Sequence, residues 1–168
     1  KHVLEAFHTL ETTIKNPNYE YTINIGVTIT VGSCIISDIL KVFKEKYPNI
    51  KVRVYANNTK VIEEKLLTNE LDIGLVEGMI KSFTLISKPI IDDKLVLVCG
   101  SEHPILKKEN ISLQNLENEA FLLREEGSGT RELFINFMHS KGITIDVTWE
   151  CSNPAAIIQG VINNHGLS

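Results

Sequence analysis

The sequence predicts an α/β protein of two lobes, with mostly parallel sheets flanked by helices. Three strand-like segments alternate with helical segments over the first ninety residues, which is the pattern of βαβ units. A second series of strands, loops and helices follows, with no long flexible linker between the two series. Apolar residues make up 43% of the 168 residues, which is enough for a buried core.

The first strand and helix are joined by a turn rich in hydroxyl groups. Apolar residues alternate over residues 23–27, which indicates a strand with one buried face. From Val31 they recur at three- and four-residue steps, which indicates an amphipathic helix over residues 31–46. Thr28 and Thr30 lie between them, where the backbone N–H groups of a helix N-terminus attract polar or anionic ligands. This stretch leaves open the alternative of an ordinary turn with solvated threonines.

Two more strands are predicted in the first lobe, at residues 50–54 and 71–76, with a helix over residues 61–67 between them. Right-handed crossovers would bring the carboxyl ends of the three strands to one edge of the sheet. In open α/β sheets this edge is where ligands bind. Asn58 and Thr59 lie in a loop that reaches it.

The second lobe repeats the pattern of strand, loop and helix. A very apolar strand is predicted at residues 95–98, after the chain crosses between the lobes near residues 87–95. Ser128, Gly129 and Thr130 occupy the N-cap and first-turn positions of a later helix. The remaining predicted elements are a short capped helix at 110–116, a strand at 121–123, the helix at 128–140, a strand at 143–147, a helix that opens after Asn153-Pro154, and the start of another strand at 166–168.

Composition and residue spacing exclude several classes of function. The net charge of −4 argues against a nucleic-acid surface in these residues, because duplex binding needs a cationic footprint. No apolar run approaches the roughly 18 residues that span a bilayer, and no signal peptide opens the sequence. No spacing fits a metal site or a catalytic set, so we expect no metal, no cofactor and no enzymatic activity. Cys34, Cys99 and Cys151 are far apart and odd in number, which fits free thiols in a reducing cytoplasm.

Residues 1–15 form a predicted helical lead-in that ends at Asn16-Pro17. Its apolar residues have the spacing of a short coiled-coil seam: Val3, Phe7, Leu10 and Ile14. Two interpretations stay open. The seam is the end of a longer coiled coil, or it packs on its own domain.

Motifs in consistent order along the chain resemble the effector-binding (substrate-binding) domain of LysR-type transcriptional regulators. They are Ile25-Gly26 with Thr28 and Thr30, Phe43-x-x-x-Tyr47-Pro48, Leu66-Leu67-x-x-Glu70-Leu71-Asp72-Ile73-Gly74-Leu75, Leu95-Val96-Leu97-Val98 with His103-Pro104 and Leu106, and Gly127-Ser128-Gly129-Thr130-Arg131. Each motif alone is weak, but together they cover residues 22–168.

The resemblance implies a two-lobe fold like that of type 2 periplasmic binding proteins. It assigns residues 1–20 to the end of a linker helix and its connector, residues 21–90 to lobe I and residues 91–168 to lobe II. A return of the chain into lobe I is expected beyond Ser168. The resemblance also implies a cytoplasmic regulator that contacts DNA only through an N-terminal winged helix-turn-helix outside these residues.

The resemblance puts the ligand positions in the cleft between the lobes. They fall on Thr28, Thr30, Val31, Asn58, Thr59, Ser128, Gly129, Thr130 and Asn153. These residues offer hydroxyls, amides, glycines and helix N-termini but little apolar wall. We therefore expect a small anionic or carboxylated effector that bridges Thr28 and Thr30 on one lobe and Ser128 and Thr130 on the other.

The leading hypothesis is a regulatory ligand-binding domain that signals to a DNA-binding domain. The family pairs such domains antiparallel, which implies a homodimer or tetramer through the helices at 31–46 and 128–140. A solute-binding receptor of a transport system is the alternative, because it shares the architecture. An enzyme on the same scaffold is disfavoured, since no set of acid, base or nucleophile is visible.

Overall fold

The computed structural model describes residues 21–168. The predicted linker helix and connector at residues 1–20, including the apolar seam, lie outside the described residues. The helices and strands are, in chain order, β1 (Tyr21–Thr28), α1 (Ile29–Cys34), α2 (Ile36–Lys46), β2 (Ile50–Asn57), α3 (Thr59–Leu67), β3 (Ile73–Leu75), β4 (Ala120–Leu123), α4 (Gly129–Ser140), β5 (Asp146–Glu150) and α5 (Pro154–Ile162), with short 3-10 helices at Pro104–Lys107 and Leu113–Leu116.

The first lobe is built on a parallel sheet with strand order β2-β1-β3. The central strand β1 pairs with β2 along its whole length, and Val27 near its end pairs with Leu75 of β3. Gly26 lets α3 lie close against β1, because a Cβ there would come within 2.9 Å of the Ile62 side chain. The parallel order confirms the predicted βαβ units and brings the carboxyl ends of the three strands to one edge.

The helix predicted over residues 31–46 is wrong in detail, because the structure has two helices, α1 and α2. β1 runs on to Thr28 and α1 begins directly after it, so Thr30 lies inside a helix rather than in a loop. At Ile35 the backbone leaves helical geometry, with φ −125° and ψ −37°, and α2 starts at the next residue. Apolar spacing does not reveal this break, because residues on both sides of it pack in the same core.

The second lobe contains a two-stranded parallel sheet of β4 and β5. Its core lies around Phe121, Met138 and Leu167, which are fully buried. Leu167 also forms a parallel bridge with Phe121, which agrees with the strand start predicted at residues 166–168. β5 begins later than predicted because Ile143 is buried in the core ahead of the strand, so its apolar character reflects packing of the turn.

The strand predicted at residues 95–98 is wrong, since residues 76–103 contain neither helix nor strand. Of residues 95–98, only Val98 makes a reciprocal pair of backbone hydrogen bonds, with Ser168. Leu95 and Val96 are 51% and 73% exposed. A strand needs a neighbouring backbone to bond with, and apolar composition alone does not supply one.

Candidate functional site

The candidate site lies at the carboxyl edge of the first-lobe sheet, where β1 ends at Thr28. Thr28 is extended and is the N-cap of α1, but its side chain makes no capping hydrogen bond. It is 3% exposed, and its hydroxyl has no hydrogen-bond partner within residues 21–168. A buried hydroxyl without a partner costs roughly 1–3 kcal/mol, which a ligand that pairs with it would recover.

Asn58 is the N-cap of α3, and both ends of its side-chain amide are used. Its Oδ1 accepts from the backbone N–H of Val61 at 3.1 Å, and its Nδ2 donates to Glu125 Oε1 at 3.2 Å. Beside it, the backbone N–H of Lys60 donates to the carbonyl of Gly127 at 3.2 Å. Asn58 therefore ties the start of α3 to the second lobe instead of offering its amide to a ligand.

Thr59 joins the two lobes through one hydroxyl group. That hydroxyl donates to the backbone carbonyl of Glu77 at 3.0 Å and accepts from the backbone N–H of Gly129 at 3.2 Å. The residue is only 5% exposed. The sequence predicted that the first backbone N–H of α4 is available to an anion. In the structure this N–H, that of Gly129, donates to the Thr59 hydroxyl instead.

Two glycines let the lobes touch backbone to backbone. A Cβ on Gly129 would come within 2.2 Å of the Glu77 carbonyl oxygen, and a Cβ on Gly78 within 2.8 Å of the Gly129 Cα. Gly78 also has a φ of +87°, which other residues adopt only with strain. No side chain fits at either position in this arrangement.

Ser128 and Thr130 flank the contact on the second lobe. Ser128 is the N-cap of α4, as predicted, and is 3% exposed. Its hydroxyl makes neither a capping bond nor any other hydrogen bond within the described residues. The Thr130 hydroxyl donates to Glu77 Oε1 over 3.4 Å, which is a weak bond.

Glu77 is the residue of this site that sequence reasoning missed. Its backbone carbonyl binds Thr59 and its carboxylate binds Thr130, so it contacts both lobes. Its position in the sequence could have identified it. Glu77 is the first charged residue after β3 and precedes the glycine turn at Gly78, at the sheet edge where ligands bind.

The other predicted positions lie apart from this contact. Thr30 is exposed on α1, and Val31 is buried in the first-lobe core. Asn153 is exposed and caps α5, with its Oδ1 accepting from the backbone N–H of Ala155 at 2.9 Å. The structure thus brings Asn58, Thr59, Gly129 and Thr130 into one inter-lobe contact. Ser128 precedes Gly129 in this contact, and Thr28 pairs with Asn57, the residue before Asn58. Thr30 and Asn153 lie outside it.

A cleft of about 1010 Å³ opens next to the contact, between β3, the first-lobe helices and residues 84–95. Glu77 and Thr130 form part of its polar side. Apolar side chains line much of the rest, among them Val31, Ile35, Ile39, Leu85, Ile90 and Leu133. The cleft therefore has more apolar wall than the sequence predicted.

Three ion pairs between described residues lie around the site. Arg124 and Glu125 share two hydrogen bonds of 2.8 and 3.0 Å. Lys81 reaches Glu132 of α4 at 2.6 Å, and Arg131 pairs with Glu150. Burial acts to raise the pKa of the Glu125 carboxyl, but hydrogen bonds from Arg124 and Asn58 outweigh it and hold that pKa below its ordinary value near 4.5.

Within residues 21–168 no group of three or more histidines, cysteines or acidic residues is arranged to hold a metal ion. The same residues contain no helix long and apolar enough to cross a membrane.

A family model, the LysR substrate binding domain, matches residues 18–168. The HTH-type transcriptional regulator CysL of Bacillus subtilis is 31% identical over 146 residues, which are 87% of this chain and 49% of that protein. The HTH-type transcriptional activator CmpR of Synechocystis is 30% identical over 84% of this chain and 46% of its own length. The chain spans about half the length of these curated relatives.

Solved structures of regulatory and effector-binding domains share this fold. The regulatory domain of CcmR from Synechocystis, in complex with 2-PG, has a TM-score of 0.78 at 31% identity and is matched over 88% of this chain and 70% of that one. The effector binding domain of QuiR, in complex with shikimate, also has a TM-score of 0.78. It covers 89% of this chain and 73% of its own, and at 20% identity it supports the fold alone.

The ion pair beside Asn58 predicts a pH-dependent stability. Because the pKa of Glu125 is lowered by folding, its stabilising effect is complete above the unfolded-state pKa and is lost as the pH falls through the folded-state one. We expect Glu125→Gln to lower the unfolding temperature at pH 7, with the difference from wild type shrinking toward pH 3. Thermal unfolding across this range measures it. Glu126→Gln, at the exposed neighbouring residue, is the control. A difference that stays constant with pH would contradict the assignment.

Proposed function

The chain belongs to the LysR-type regulators, as the effector-binding domain of such a protein, and we propose that it senses a small anionic or carboxylated effector held between its lobes. The residues proposed to anchor this effector are Thr28 of lobe I, residues 21–90, and Ser128 of lobe II, residues 91–168. Binding there would change the relative position of the lobes and signal to a DNA-binding domain elsewhere in the protein.

The buried, unpaired hydroxyl of Thr28 carries the proposal. Burying a polar group without a partner is unfavourable, and such groups concentrate where a ligand completes the hydrogen bonding. Ser128 supports it from the other lobe, since it is also buried and its hydroxyl is unused. A hydroxyl that donates to a charged oxygen makes a stronger hydrogen bond than one that donates to a neutral group.

The relatives support a small effector of this kind. The CcmR domain, which is 31% identical to this chain, was solved in complex with 2-PG. CysL and CmpR are transcriptional regulators. The alternative hypothesis, a solute-binding receptor of a transport system, is therefore not favoured.

Fewer residues are proposed to contact the effector directly than the sequence analysis predicted. Thr30 is exposed on α1, and the Thr130 hydroxyl already bonds Glu77. The side chains of Asn58 and Thr59 are hydrogen-bonded across the inter-lobe contact. We therefore assign Asn58, Thr59 and Thr130 to the frame of the site and leave Thr30 outside it. Thr28 and Ser128 are kept as the proposed direct contacts.

Thr28→Val should change stability and affinity in opposite directions. Removing an unpaired buried hydroxyl leaves the unfolding temperature of the free protein unchanged or raised. Losing a hydrogen bond to a charged ligand costs about 1.5–3 kcal/mol, so affinity should fall roughly ten- to hundredfold. Calorimetry with 2-PG, shikimate and a panel of small anions measures the affinity. Thr22→Val, exposed at the start of β1, is the matched control. A Thr28→Val protein that binds like wild type would rule out this site.

Residues 1–168 alone should not bind a promoter fragment specifically. The fragment carries a net charge of −4, whereas contacts to DNA phosphates need a cationic surface. We propose that the full-length protein binds DNA through a separate domain and acts in the cytoplasm, where the free thiols Cys34, Cys99 and Cys151 stay reduced. Gel retardation with the fragment and the full-length protein tests the DNA assignment. Tight, sequence-dependent retardation by the fragment would contradict it, and export of the protein would contradict the compartment.

We also propose self-association through α2 and α4. Val42 on α2 is 65% exposed, and Phe137 on α4 is 48% exposed, so each helix presents apolar surface to solvent. Val42→Glu should shift the protein toward monomer, because it buries a charge in the proposed interface. Sedimentation at micromolar concentration measures this, with the exposed Lys41→Glu as a control for charge. A monomeric wild-type protein, or an unaffected Val42→Glu oligomer, would refute the interface.

A further inference from the structure

We infer that Glu77 sets the chemical class of the effector: a small acid that also carries a hydrogen-bond donor, such as a hydroxyl or ammonium group, beside its acidic group. The inference rests on the proposed function and extends it from the charge of the ligand to the pattern of its polar groups. Simple anions without a donor are then poor ligands for this site.

The first observation is that Glu77 has no cationic partner. Two other carboxylates near the inter-lobe contact have cationic partners: Glu125 pairs with Arg124 and Glu132 with Lys81. The buried Glu63 accepts from the backbone N–H groups of residues 81 and 82. Within residues 21–168, Glu77 has no ion pair, and its carboxylate has one hydrogen bond, the 3.4 Å contact from Thr130.

The second observation is that Glu77 follows β3 at the same edge of the sheet where β1 ends at Thr28. Val27 of β1 pairs with Leu75 of β3 in parallel register. The next residues of the two strands, Thr28 and Val76, therefore lie side by side, one residue before Glu77. Glu77 also lines the wall of the 1010 Å³ cleft. Its free acceptor capacity and the buried Thr28 hydroxyl thus belong to the same edge of the first-lobe sheet, with Thr28 buried behind the cleft lining rather than part of it.

The Thr28 hydroxyl and the Glu77 carboxylate require different hydrogen-bonding groups on a ligand. The Thr28 hydroxyl can donate to an acidic oxygen, as the proposed function requires. An ionised carboxylate can only accept, so Glu77 needs a donor, and it repels an anion that brings none. A hydroxy acid or an amino acid supplies both groups, whereas a simple carboxylate or sulfate supplies one.

The position of Glu77 makes it a determinant of specificity beyond its role in the lobe contact. Its backbone carbonyl, which any residue provides, serves Thr59. Among residues 21–168 its side chain has only the weak bond to Thr130, which a glutamine can also accept. Glu77→Gln therefore keeps the contact and the shape while it removes the charge.

The experiment compares matched acids with and without hydroxyls: shikimate against 1-cyclohexene-1-carboxylate, and lactate against propionate, with sulfate as the plain anion. A site that bonds a hydroxyl discriminates against an analogue that lacks it. We expect wild type to bind the hydroxy acid of at least one pair about tenfold or more tightly than its partner. In Glu77→Gln that ratio should fall to about threefold or less, and sulfate should bind more tightly than to wild type.

The control is Glu45→Gln, which removes one exposed carboxylate from α2 and should leave every ratio unchanged. Equal unfolding temperatures verify that the variants fold alike. If wild type binds acids without regard to their hydroxyls, or Glu77→Gln keeps the wild-type ratio, this inference is overturned while the proposed function stands. If wild type binds none of the acids, both fail.

Discussion

The hydrogen bonds of one hydroxyl, that of Thr59, decide how the rest of the site is arranged. It bonds the carbonyl of Glu77, two residues after β3, and the first N–H of α4, and so joins α3 to segments of both lobes. The glycines at 78 and 129 make this geometry possible by letting the backbones meet. Around the contact, Asn58 fastens the start of α3 to Glu125. The carboxyl edge of the first-lobe sheet is thus held against the second lobe by hydrogen bonds.

The polar groups at and around the inter-lobe contact fall into two sets. Those that hold the lobes together have satisfied hydrogen bonds and gain nothing from a ligand. Those with unused capacity, Thr28, Ser128 and Glu77, are the groups through which a ligand can gain binding energy. A ligand that used the first set would have to break protein contacts, which would cost about as much as it gained. The division follows from hydrogen bonding rather than from residue type, since threonine appears in both sets.

Local patterns in the sequence were enough for much of the fold. Alternation and helical spacing predicted the parallel first-lobe sheet, α3, α4 and α5, because in these elements the apolar residues recur with the period of a strand or a helix. The sequence did not reveal the break at Ile35 or the absence of a strand at 95–98. Both depend on long-range geometry: where a backbone finds a partner and how a helix meets the sheet. The site, too, was predicted only in part. The helix N-terminal positions were found, but Glu77 and the bonding of Thr59 depend on residues 18 and 70 positions away.

The Gly78–Gly129 contact makes the spacing of the lobes adjustable by a single methyl group. Alanine at 129 would place its Cβ 2.2 Å from a carbonyl oxygen, and relief of that overlap needs a separation of about 1 Å. Such a wedge would act at the point where the lobes meet, and the displacement would grow with distance from it, as in any hinged pair of rigid bodies. A graded series of side chains at this position would serve as a set of spacers for the angle between the lobes. The protein would thereby report how much opening its regulatory output can tolerate, without any ligand being present.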